Sequence, residues 1–249
     1  MNISAAISEN KDAWNRFVEK HYPCVGAFMQ MWEWGDFQRG LGREVGRYIV
    51  SEGDKWIAVF TIAHFKLPFG FSYGYVARGP VLQNAEAATA VFEAMRAWAS
   101  KKFPRCIFLR LEPPLHSLPS GLEQSLFHIP DYYVQPRYNA AISLSQNDAD
   151  VSMSFHPSTR SNINRAKKRG VTVAMKEKIT PDDYSAFTLM MNETIERNSG
   201  KNAYPGDAYF HSLLKTIPPL GGAPKGMPDE ATLSIAAFYG YRDNEPVSA

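Results

Sequence analysis

Hydrophobic and polar positions follow two different periods along the first part of the chain. A helical period marks residues 11–20 and returns over residues 85–102. A two-residue period marks residues 43–65 and is interrupted by turn-forming residues at positions 51–54. The pattern therefore predicts two helices with a β-hairpin between them.

Shorter signals lie beside these elements. Residues 28–42 begin as a short helix that should break at the glycines, and residues 69–82 are extended up to a turn at Gly79 and Pro80. A short buried strand is expected to stop at Pro113, and it is followed by a second short helix and another strand, at residues 120–130 and 134–145. This order of helices and strands predicts a mixed α/β layer fold.

A second set of elements begins near residue 147. Its first short helix would be capped by Asp148 or Asp150 and would end before Pro157. The next helix would be capped by Ser158 and would close at Gly170, a residue suited to the left-handed position after a helix. Strand, helix, helix and strand signals follow, at residues 171–175, 180–198, 206–217 and 231–241.

These signals predict two domains, residues 1–146 and residues 147–249. The second domain has only two clear strands, which are few for a sheet that must bury several helices. We therefore expect the second domain to be incomplete.

Composition excludes some classes of function. The 249 residues carry a formal net charge of only +2, so no global field attracts a polyanion. The two cysteines, Cys24 and Cys106, have neither metal-ligand spacing nor a disulfide framework, and we expect reduced thiols. No apolar run approaches the ~20 residues that span a bilayer, and no secretion signal is recognisable, which predicts a cytoplasmic location.

Charge is concentrated locally between residues 160 and 169. Five of these ten positions are basic: Arg160, Arg165, Lys167, Lys168 and Arg169. On the predicted helix most would face solvent, and cations in a last turn interact favourably with the helix dipole. Alternatively they contact an RNA backbone, independently of its sequence and sensitive to salt. The sequence leaves both interpretations open, and they are compatible.

Familiar catalytic motifs are absent or misplaced. Residues 70–74 match G-x-S-x-G, but Ser72 is followed by an extended segment instead of the helix that this motif requires. We find no P-loop, H-E-x-x-H or C-x-x-C motif, and no pyrophosphate loop of acyl-CoA-dependent acetyltransferases. A hydrolase is therefore the weakest hypothesis, and neither a metal nor another cofactor is predicted.

Six stretches nevertheless form a recognisable set. They are FMQMWEWGDFQRGLG (28–42), YVARGPV (75–81), LRLEPP (109–114), VQPRYNAAISLS (134–145), FHPSTRSNINRAKKRGVTV (155–173) and TIERN (194–198). In order and spacing, over nearly the whole chain, this set resembles the FemABX family of aminoacyl-tRNA-dependent transferases that build peptidoglycan bridges.

The resemblance implies a fold and a reaction. The fold is a tandem of GNAT-like (acyl-CoA N-acyltransferase) domains with mixed sheets, the second truncated because family members are longer. In the reaction, the stem-peptide amine of a peptidoglycan precursor, lipid II or a UDP-linked muropeptide, attacks the amino acid esterified to tRNA. That ester is already activated, so neither metal nor ATP is needed. Expected partners are the aminoacyl-tRNA, the muropeptide and, peripherally, the inner membrane face.

The same resemblance implies roles for individual residues. Glu112 matches the family's acidic strand end and would assist at the amine, although an ordinary strand-end carboxylate fits equally well. The implied substrate-binding residues are Trp34, Gln38, Arg39, Tyr73, Tyr75, Arg78 and Arg197. Gln38 stands where the family often has lysine, so either Arg39 substitutes for it or acceptor recognition differs.

Ordinary structural roles remain open for several of these residues. Tyr73 and Tyr75 alternate on a strand and would also serve as sheet-face residues. Arg78 would also serve as a solvent-exposed turn residue, and Arg197 as a helical partner of Glu193.

Two rival functions remain. One is an N-acyltransferase of the same fold that uses acyl-CoA or another small acyl donor. The other is a non-catalytic module that binds RNA or a partner through the basic helix.

Overall fold

The chain folds into two compact units in the computed structural model. The structure describes residues 1–22, 26–117, 119, 127–136, 138–143, 147–198, 205–220 and 232–248. The first unit contains residues 1–139 and a short stretch that ends at Leu233, and the second contains the remainder.

The described part of the first unit contains three α-helices and six strands. The helices are α1 (Lys11–His21), α2 (Trp32–Gly40) and α3 (Ala88–Lys102). The strands are β1 (Asn2–Ala5), β2 (Glu44–Glu52), β3 (Lys55–Lys66), β4 (Ser72–Val76), β5 (Val81–Leu82) and β6 (Cys106–Leu111). The helices predicted at residues 11–20, 28–42 and 85–102 and the predicted hairpin are confirmed, whereas the sequence pattern gives no signal for β1.

The strands form one mixed sheet in the order β1-β2-β3-β4-β6, and β5 pairs with part of β3. Every pair is antiparallel except β4 and β6, which run parallel with Tyr75 opposite Arg110. A parallel pair needs a crossover connection, which here includes α3. The carboxyl ends of β4 and β6 consequently lie side by side at one edge of the sheet.

Helices cover both faces of this sheet. Phe60 belongs to an apolar cluster between the sheet and α3, together with Met95 of that helix. Its neighbour Val59 belongs to a second cluster on the opposite face, together with Trp14 of α1. Because successive residues of a strand point to opposite faces, the centre of β3 must be apolar at nearly every position.

A buried glutamine connects three segments next to the end of β4. Gln30 is fully buried, and its backbone carbonyl accepts a hydrogen bond from Trp14 Nε1 at 2.7 Å. Its side chain accepts from the Thr61 N–H at 2.9 Å and donates to the Ala77 carbonyl at 2.6 Å. These bonds fix the start of the turn that carries Arg78.

The described part of the second unit contains four α-helices and three strands. The helices are α4 (Asp148–Ser154), α5 (Pro157–Lys168), α6 (Pro181–Arg197) and α7 (Asp207–Thr216). The strands β7 (Thr172–Lys176), β8 (Ala237–Arg242) and β9 (Glu245–Ser248) form an antiparallel sheet in that order. Tyr239 of β8 is only 2% exposed and donates a 2.7 Å hydrogen bond to the Asp183 carbonyl of α6. That bond ties the small sheet to a helix.

Two predicted helix ends in this unit are confirmed. The Thr180 hydroxyl accepts from the Asp183 N–H, and the Asp183 carboxylate accepts from the Thr180 N–H, so the start of α6 is a capping box with Pro181 in the first turn. This contact also holds the pKa of Asp183 below its ordinary value. Gly170 has φ of 80° and closes α5.

Two predicted caps are wrong. The side chain of Asn147 accepts from the Asp150 N–H, so it caps α4 in place of either aspartate. Pro157 occupies the first turn of α5, where its missing N–H costs nothing, and the cap therefore falls on His156 instead of Ser158.

The outer strands also differ from the prediction. β6 lies at the edge of its sheet, so Ile107 and Phe108 are 58% and 50% exposed and the strand is not buried. Residues 134–136 and 138–143 form no strand, although the pattern predicts one there. The second unit has a third strand, β9, that the pattern misses. The predicted helix at residues 120–130 falls largely outside the described residues.

Candidate active site

The end of strand β6 places one carboxylate beside the turn that follows β4. Glu112 is the first residue after β6. Its backbone N–H donates to the carbonyls of Val76, at 3.3 Å, and Gly79, at 3.1 Å. The parallel pairing of β4 and β6 thus continues for one residue past the strand and fixes where the Glu112 side chain begins.

Three donors hold the carboxylate of Glu112. Tyr75 Oη donates to Oε2 at 2.6 Å, whereas Arg110 Nε donates at 3.3 Å and the Val134 N–H at 3.1 Å to Oε1. The side chains of Glu112 and Arg110 are each only 11% exposed. A carboxylate offers about four acceptor positions, so these donors leave about one for another ligand.

Tyr75 supports this carboxylate as a neutral donor. Burial raises the pKa of Tyr75, and the hydrogen bond to the Glu112 carboxylate raises it further. The side chain of Gln135 also forms a hydrogen bond with the tyrosine. The phenol therefore keeps its proton at neutral pH and donates a hydrogen bond to Glu112.

Arg110 is part of the site although the sequence analysis does not single it out. Its Nη2 donates to the Tyr132 carbonyl at 2.6 Å, and its guanidinium carbon lies 4.6 Å from the centre of the Tyr132 ring. One side chain thus binds both the carboxylate and the loop above it. The available signal was the Arg-x-Glu spacing, because residues two apart on a strand share a face.

The loop forms a strap, residues 132–136, that crosses the strand ends. Alternate residues of the strap are anchored: the Tyr132 carbonyl by Arg110, the Val134 N–H by Glu112, and the Pro136 carbonyl by Arg78 Nη2 at 2.8 Å. Arg78 itself has φ of 52°, a left-handed conformation that is uncommon outside glycine. The polar backbone of the strap is thus used by site residues, which explains why no strand forms there.

This arrangement suits proton transfer at a carboxylate. A fixed carboxylate with an open acceptor position can take a proton from an amine that donates to it. Among the described residues no group of three His, Cys, Asp or Glu side chains is placed to hold a metal ion. Cys106 is a free thiol whose pKa is raised by burial, and Cys24 lies outside the described residues.

Comparison with known proteins identifies the family. The model of the FemAB family matches residues 10–128 and 119–218. The chain belongs to the FemAB family. The crystal structure of FemX is similar with a TM-score of 0.66 at 21% sequence identity, over 87% of this chain and 55% of the FemX chain. This chain therefore spans little more than half the length of FemX.

The likeness to FemX shows the fold, so the predicted mixed α/β fold is confirmed. A weaker likeness links this FemAB chain to the aminoglycoside 6′-N-acetyltransferase of Acinetobacter haemolyticus, with a TM-score of 0.35 at 15% identity. That match covers 57% of this chain and all of the acetyltransferase. A comparison with curated proteins found no match.

The two polar FemAB candidates on α2 are already engaged. Gln38 is buried, and its side-chain oxygen accepts from the Arg43 guanidinium, which also lies 4.9 Å from the centre of the Phe65 ring. Arg39 is exposed and donates to Asp36 at 3.3 Å. Arg43, absent from the sequence-based candidates, thus contacts the side chain of Gln38.

The aromatic candidates form ring contacts. Trp34 packs edge-on against Phe28 with a centroid distance of 5.1 Å. Tyr73 stacks between Phe65 and Phe108, at centroid distances of 4.9 and 5.1 Å. These three stacked rings cross β3, β4 and β6, and half of Phe108 remains exposed. Tyr73 thus lies on the sheet face, which is its ordinary structural role.

The basic residues of α5 and its C-cap differ in their surroundings: one binds backbone carbonyls and four are exposed. Arg160 donates to the Met153 carbonyl at 3.1 Å and to the Phe155 carbonyl, so it caps the end of α4. The four other basic candidates are exposed: Arg165, Lys167, Lys168 and Arg169.

Arg197 is exposed at the last turn of α6. Its Nη2 donates to Thr194 Oγ1 at 2.9 Å. Within the described residues it forms no ion pair with Glu193. Together with the α5 residues it belongs to the second unit, whereas Tyr75, Arg78 and Glu112 are brought together in the first.

The described helices offer no membrane-spanning candidate, because none combines the required length with sufficient apolar character.

Proposed function

We propose that this chain transfers an amino acid from aminoacyl-tRNA to the stem-peptide amine of a peptidoglycan precursor, forming a peptide bond of a cell-wall bridge. The observation that carries the proposal is the FemAB family match, which extends from residue 10 to residue 218. The acceptor would be lipid II or a UDP-linked muropeptide. The reaction would take place in the cytoplasm, with peripheral contact to the inner membrane face.

The proposed chemistry needs one base and no cofactor. The amine nitrogen forms a C–N bond with the ester carbonyl, the C–O bond to the terminal ribose of the tRNA breaks, and one proton passes from nitrogen to the departing oxygen. Glu112 would receive that proton and return it, which is the role of a general base and then of a general acid. The esterified donor is already activated, so neither a metal ion nor ATP is required.

The surroundings of Glu112 support this role. Tyr75, Arg110 and the Val134 N–H occupy about three of its four acceptor positions and would orient the remaining one toward the amine. A base that is held in one orientation raises the reaction rate, because the bound amine meets it in a productive geometry.

Phosphate recognition would fall to the remaining arginines. Arg78 would bind an acceptor phosphate after releasing the Pro136 carbonyl that it holds at rest. Arg197, Arg39 and Trp34 would contribute to substrate binding, with Gln38 holding Arg43 in place. Guanidinium groups suit this task because their fork of donors matches phosphate oxygens.

The experiment mixes the purified chain with tRNA charged with a radiolabelled amino acid and, in separate reactions, a UDP-linked muropeptide or lipid II. Label is expected in the muropeptide fraction, and Glu112→Gln is expected to reduce it strongly. Reactions that contain labelled acetyl-CoA in place of charged tRNA form the comparison arm. Transfer from the thioester alone, or no transfer by a folded chain with either donor, would contradict the proposal.

A further inference from the structure

In the described sheet of the first unit, β3 has no strand partner on one side near its centre. It pairs with β4 from Ala63 onward and with β5 at Ala58 and Val59. Between β4 and β5 the chain leaves the sheet as a turn, residues 77–80, so residues 60–62 face a gap on that side. Buried backbone groups require hydrogen-bond partners, so another group has to fill this gap.

The side-chain amide of Gln30 fills the gap. Its oxygen accepts from the Thr61 N–H at 2.9 Å, and its Nε2 donates to the Ala77 carbonyl at 2.6 Å. A side-chain amide offers the same acceptor and donor as a peptide group, so Gln30 replaces the missing strand. The residue is fully buried, and the bond from Trp14 Nε1 fixes its backbone carbonyl.

Two glycines show how closely this segment approaches the turn. A Cβ on Gly79 would lie 2.7 Å from Nε2 of Gln30, closer than Cβ atoms come to their neighbours. A Cβ on Gly26, four residues before Gln30, would lie 3.6 Å from Cγ and Nε of Arg78. The segment that ends at Gln30 therefore packs against both the backbone of the turn and the side chain of Arg78.

The turn at residues 77–80 carries two groups of the candidate active site. One is the guanidinium of Arg78, and the other is the Gly79 carbonyl, which accepts from the Glu112 N–H. Gln30 contacts the residues on both sides of Arg78, since it binds the Ala77 carbonyl and lies against Gly79. A shift of the amide would therefore move the guanidinium.

We propose that Gln30 is a positioning residue, which places the Arg78 guanidinium for binding of the acceptor phosphate without contacting the substrate itself. The inference rests on the proposed function, because there Arg78 binds that phosphate. A guanidinium binds phosphate through a rigid fork of donors, so the position of its backbone decides how many donors reach the anion. The carboxylate of Glu112 depends less on Gln30, since three other donors hold it.

A positioning role and a purely structural role differ in their kinetic signatures. A variant that is only less stable contains less folded enzyme, which lowers the apparent kcat and leaves both KM values unchanged. A variant with a displaced Arg78 binds the acceptor more weakly, which raises the KM for the acceptor and leaves the KM for the donor unchanged. Acceptor affinity is therefore the quantity that separates the two roles.

The test measures binding of a UDP-linked muropeptide to the full chain by isothermal titration calorimetry, and transfer kinetics with the same muropeptide varied. Gln30→Met removes both amide hydrogen bonds and keeps the length of the side chain. Gly79→Ala displaces the amide from the other side. Asn84→Ala is the control, because it removes a 3.0 Å cap on the Ala87 N–H of the same unit. Circular dichroism melting checks that every variant is folded.

Gln30→Met and Gly79→Ala should each bind the muropeptide about tenfold more weakly, the loss of about one hydrogen bond to a charged group. The KM for the muropeptide should rise by the same factor, and the KM for aminoacyl-tRNA should not change. Asn84→Ala should melt earlier with both KM values intact. Gln30→Met/Arg78→Gln should lose no more affinity than Arg78→Gln alone, because both changes act through one contact. If Gln30→Met is unfolded, Gly79→Ala replaces it in each comparison.

Unchanged muropeptide affinity in folded Gln30→Met would overturn the inference, and so would additive losses in the double variant. A lower kcat at constant KM would leave Gln30 a purely structural role. No binding of the muropeptide by the unmodified chain would overturn the inference together with the role of Arg78. Because calorimetry needs no donor, Gln30-dependent binding without transfer contradicts only the proposed function, and transfer with Gln30-independent binding contradicts only this inference.

Discussion

Two charged regions of this molecule differ in how their charges are balanced. Around Glu112 the charged groups have partners: Arg110 faces the carboxylate, and Arg78 faces a carbonyl of the strap. Arg165, Arg169 and Arg242 of the second unit line one open depression, and among the described residues only Arg242 has a carboxylate partner, Asp243, in a long and exposed contact of 3.6 Å. A balanced cluster of fixed geometry suits a chemical step, whereas an unbalanced and exposed one suits the capture of a polyanion from solution.

Replacement of the central carboxylate should have the largest effect. Glu112→Gln keeps the shape of the side chain but cannot accept a proton, and its NH2 group faces donors instead of acceptors. Transfer should slow by about 100-fold or more, the range that general acid–base catalysis contributes. Glu86→Gln, an exposed carboxylate just before α3, is the control. Transfer within about threefold of the unmodified rate in Glu112→Gln would show that the balanced cluster is structural.

Removal of the Tyr75 hydroxyl tests whether its hydrogen bond to the Glu112 carboxylate stabilises the fold. Tyr75→Phe should lower the free energy of unfolding by about 1.5 kcal/mol at neutral pH, since it removes a hydrogen bond to a charged group. Urea denaturation gives that value.

The same variant should change the response to alkaline pH. The pKa of Tyr75 is raised above its ordinary value of 10, so its contribution to stability is complete below pH 10 and is lost as pH rises beyond it. The unmodified chain should therefore lose stability between pH 10 and higher values, and Tyr75→Phe should lose less. Parallel curves for the two proteins would contradict the assignment.

The strap provides a third test, because Arg110 connects it to the carboxylate. Arg110→Gln removes the donor to the Tyr132 carbonyl and weakens the support of Glu112. Hydrogen exchange at the Val134 amide should then accelerate by about tenfold, which corresponds to the loss of about one hydrogen bond. Arg110→Lys should restore part of the protection, and Arg96→Gln on α3 should have no effect. Unaltered exchange in Arg110→Gln would mean that the strap is held without this arginine.

A glycine exchange probes the turn after α5, which follows Arg169. Gly170→Ala should destabilise the second unit by about 1 kcal/mol, because φ of 80° is unfavourable for any residue with a Cβ. Gly170→Asn is a close control: nothing lies within 4 Å of an added Cβ at this glycine, and asparagine adopts the left-handed conformation more readily than alanine. The second substitution should shift thermal melting clearly less. Equal shifts would indicate that backbone conformation is not the cause.

Sequence periodicity predicted most helices because the spacing of apolar residues and the capping residues at the ends are both local signals. Thr180, Pro181 and Gly170 are local signals of this kind, and each lies where the pattern puts it. Burial of β6 could not be read from its apolar residues, because it depends on whether another strand pairs beyond it. The apolar pattern of residues 134–145 likewise predicted a strand. In the structure, the Val134 N–H and the Pro136 carbonyl bind Glu112 and Arg78 instead of a neighbouring strand.

The candidate site was only partly predictable. Glu112, Tyr75 and Arg78 were chosen through resemblance to a family, and the fold brings them together. Arg110 was missed although its Arg-x-Glu spacing was an available signal, and Arg242 was missed because nothing local distinguishes it from an arginine in solvent. Arg242 in particular depends on a strand pairing between distant parts of the chain. Contacts of this kind follow from topology, which periodicity alone does not supply.

We propose that the two regions perform different tasks, with chemistry in the first unit and donor binding in the second. Steady-state transfer kinetics with varied aminoacyl-tRNA test it directly, comparing Glu112→Gln with Arg165→Gln/Arg169→Gln. We expect the first variant to lower kcat with little change in KM for the donor, and the second to raise that KM with kcat nearly intact. A loss of the same parameter in both variants would contradict the division of labour.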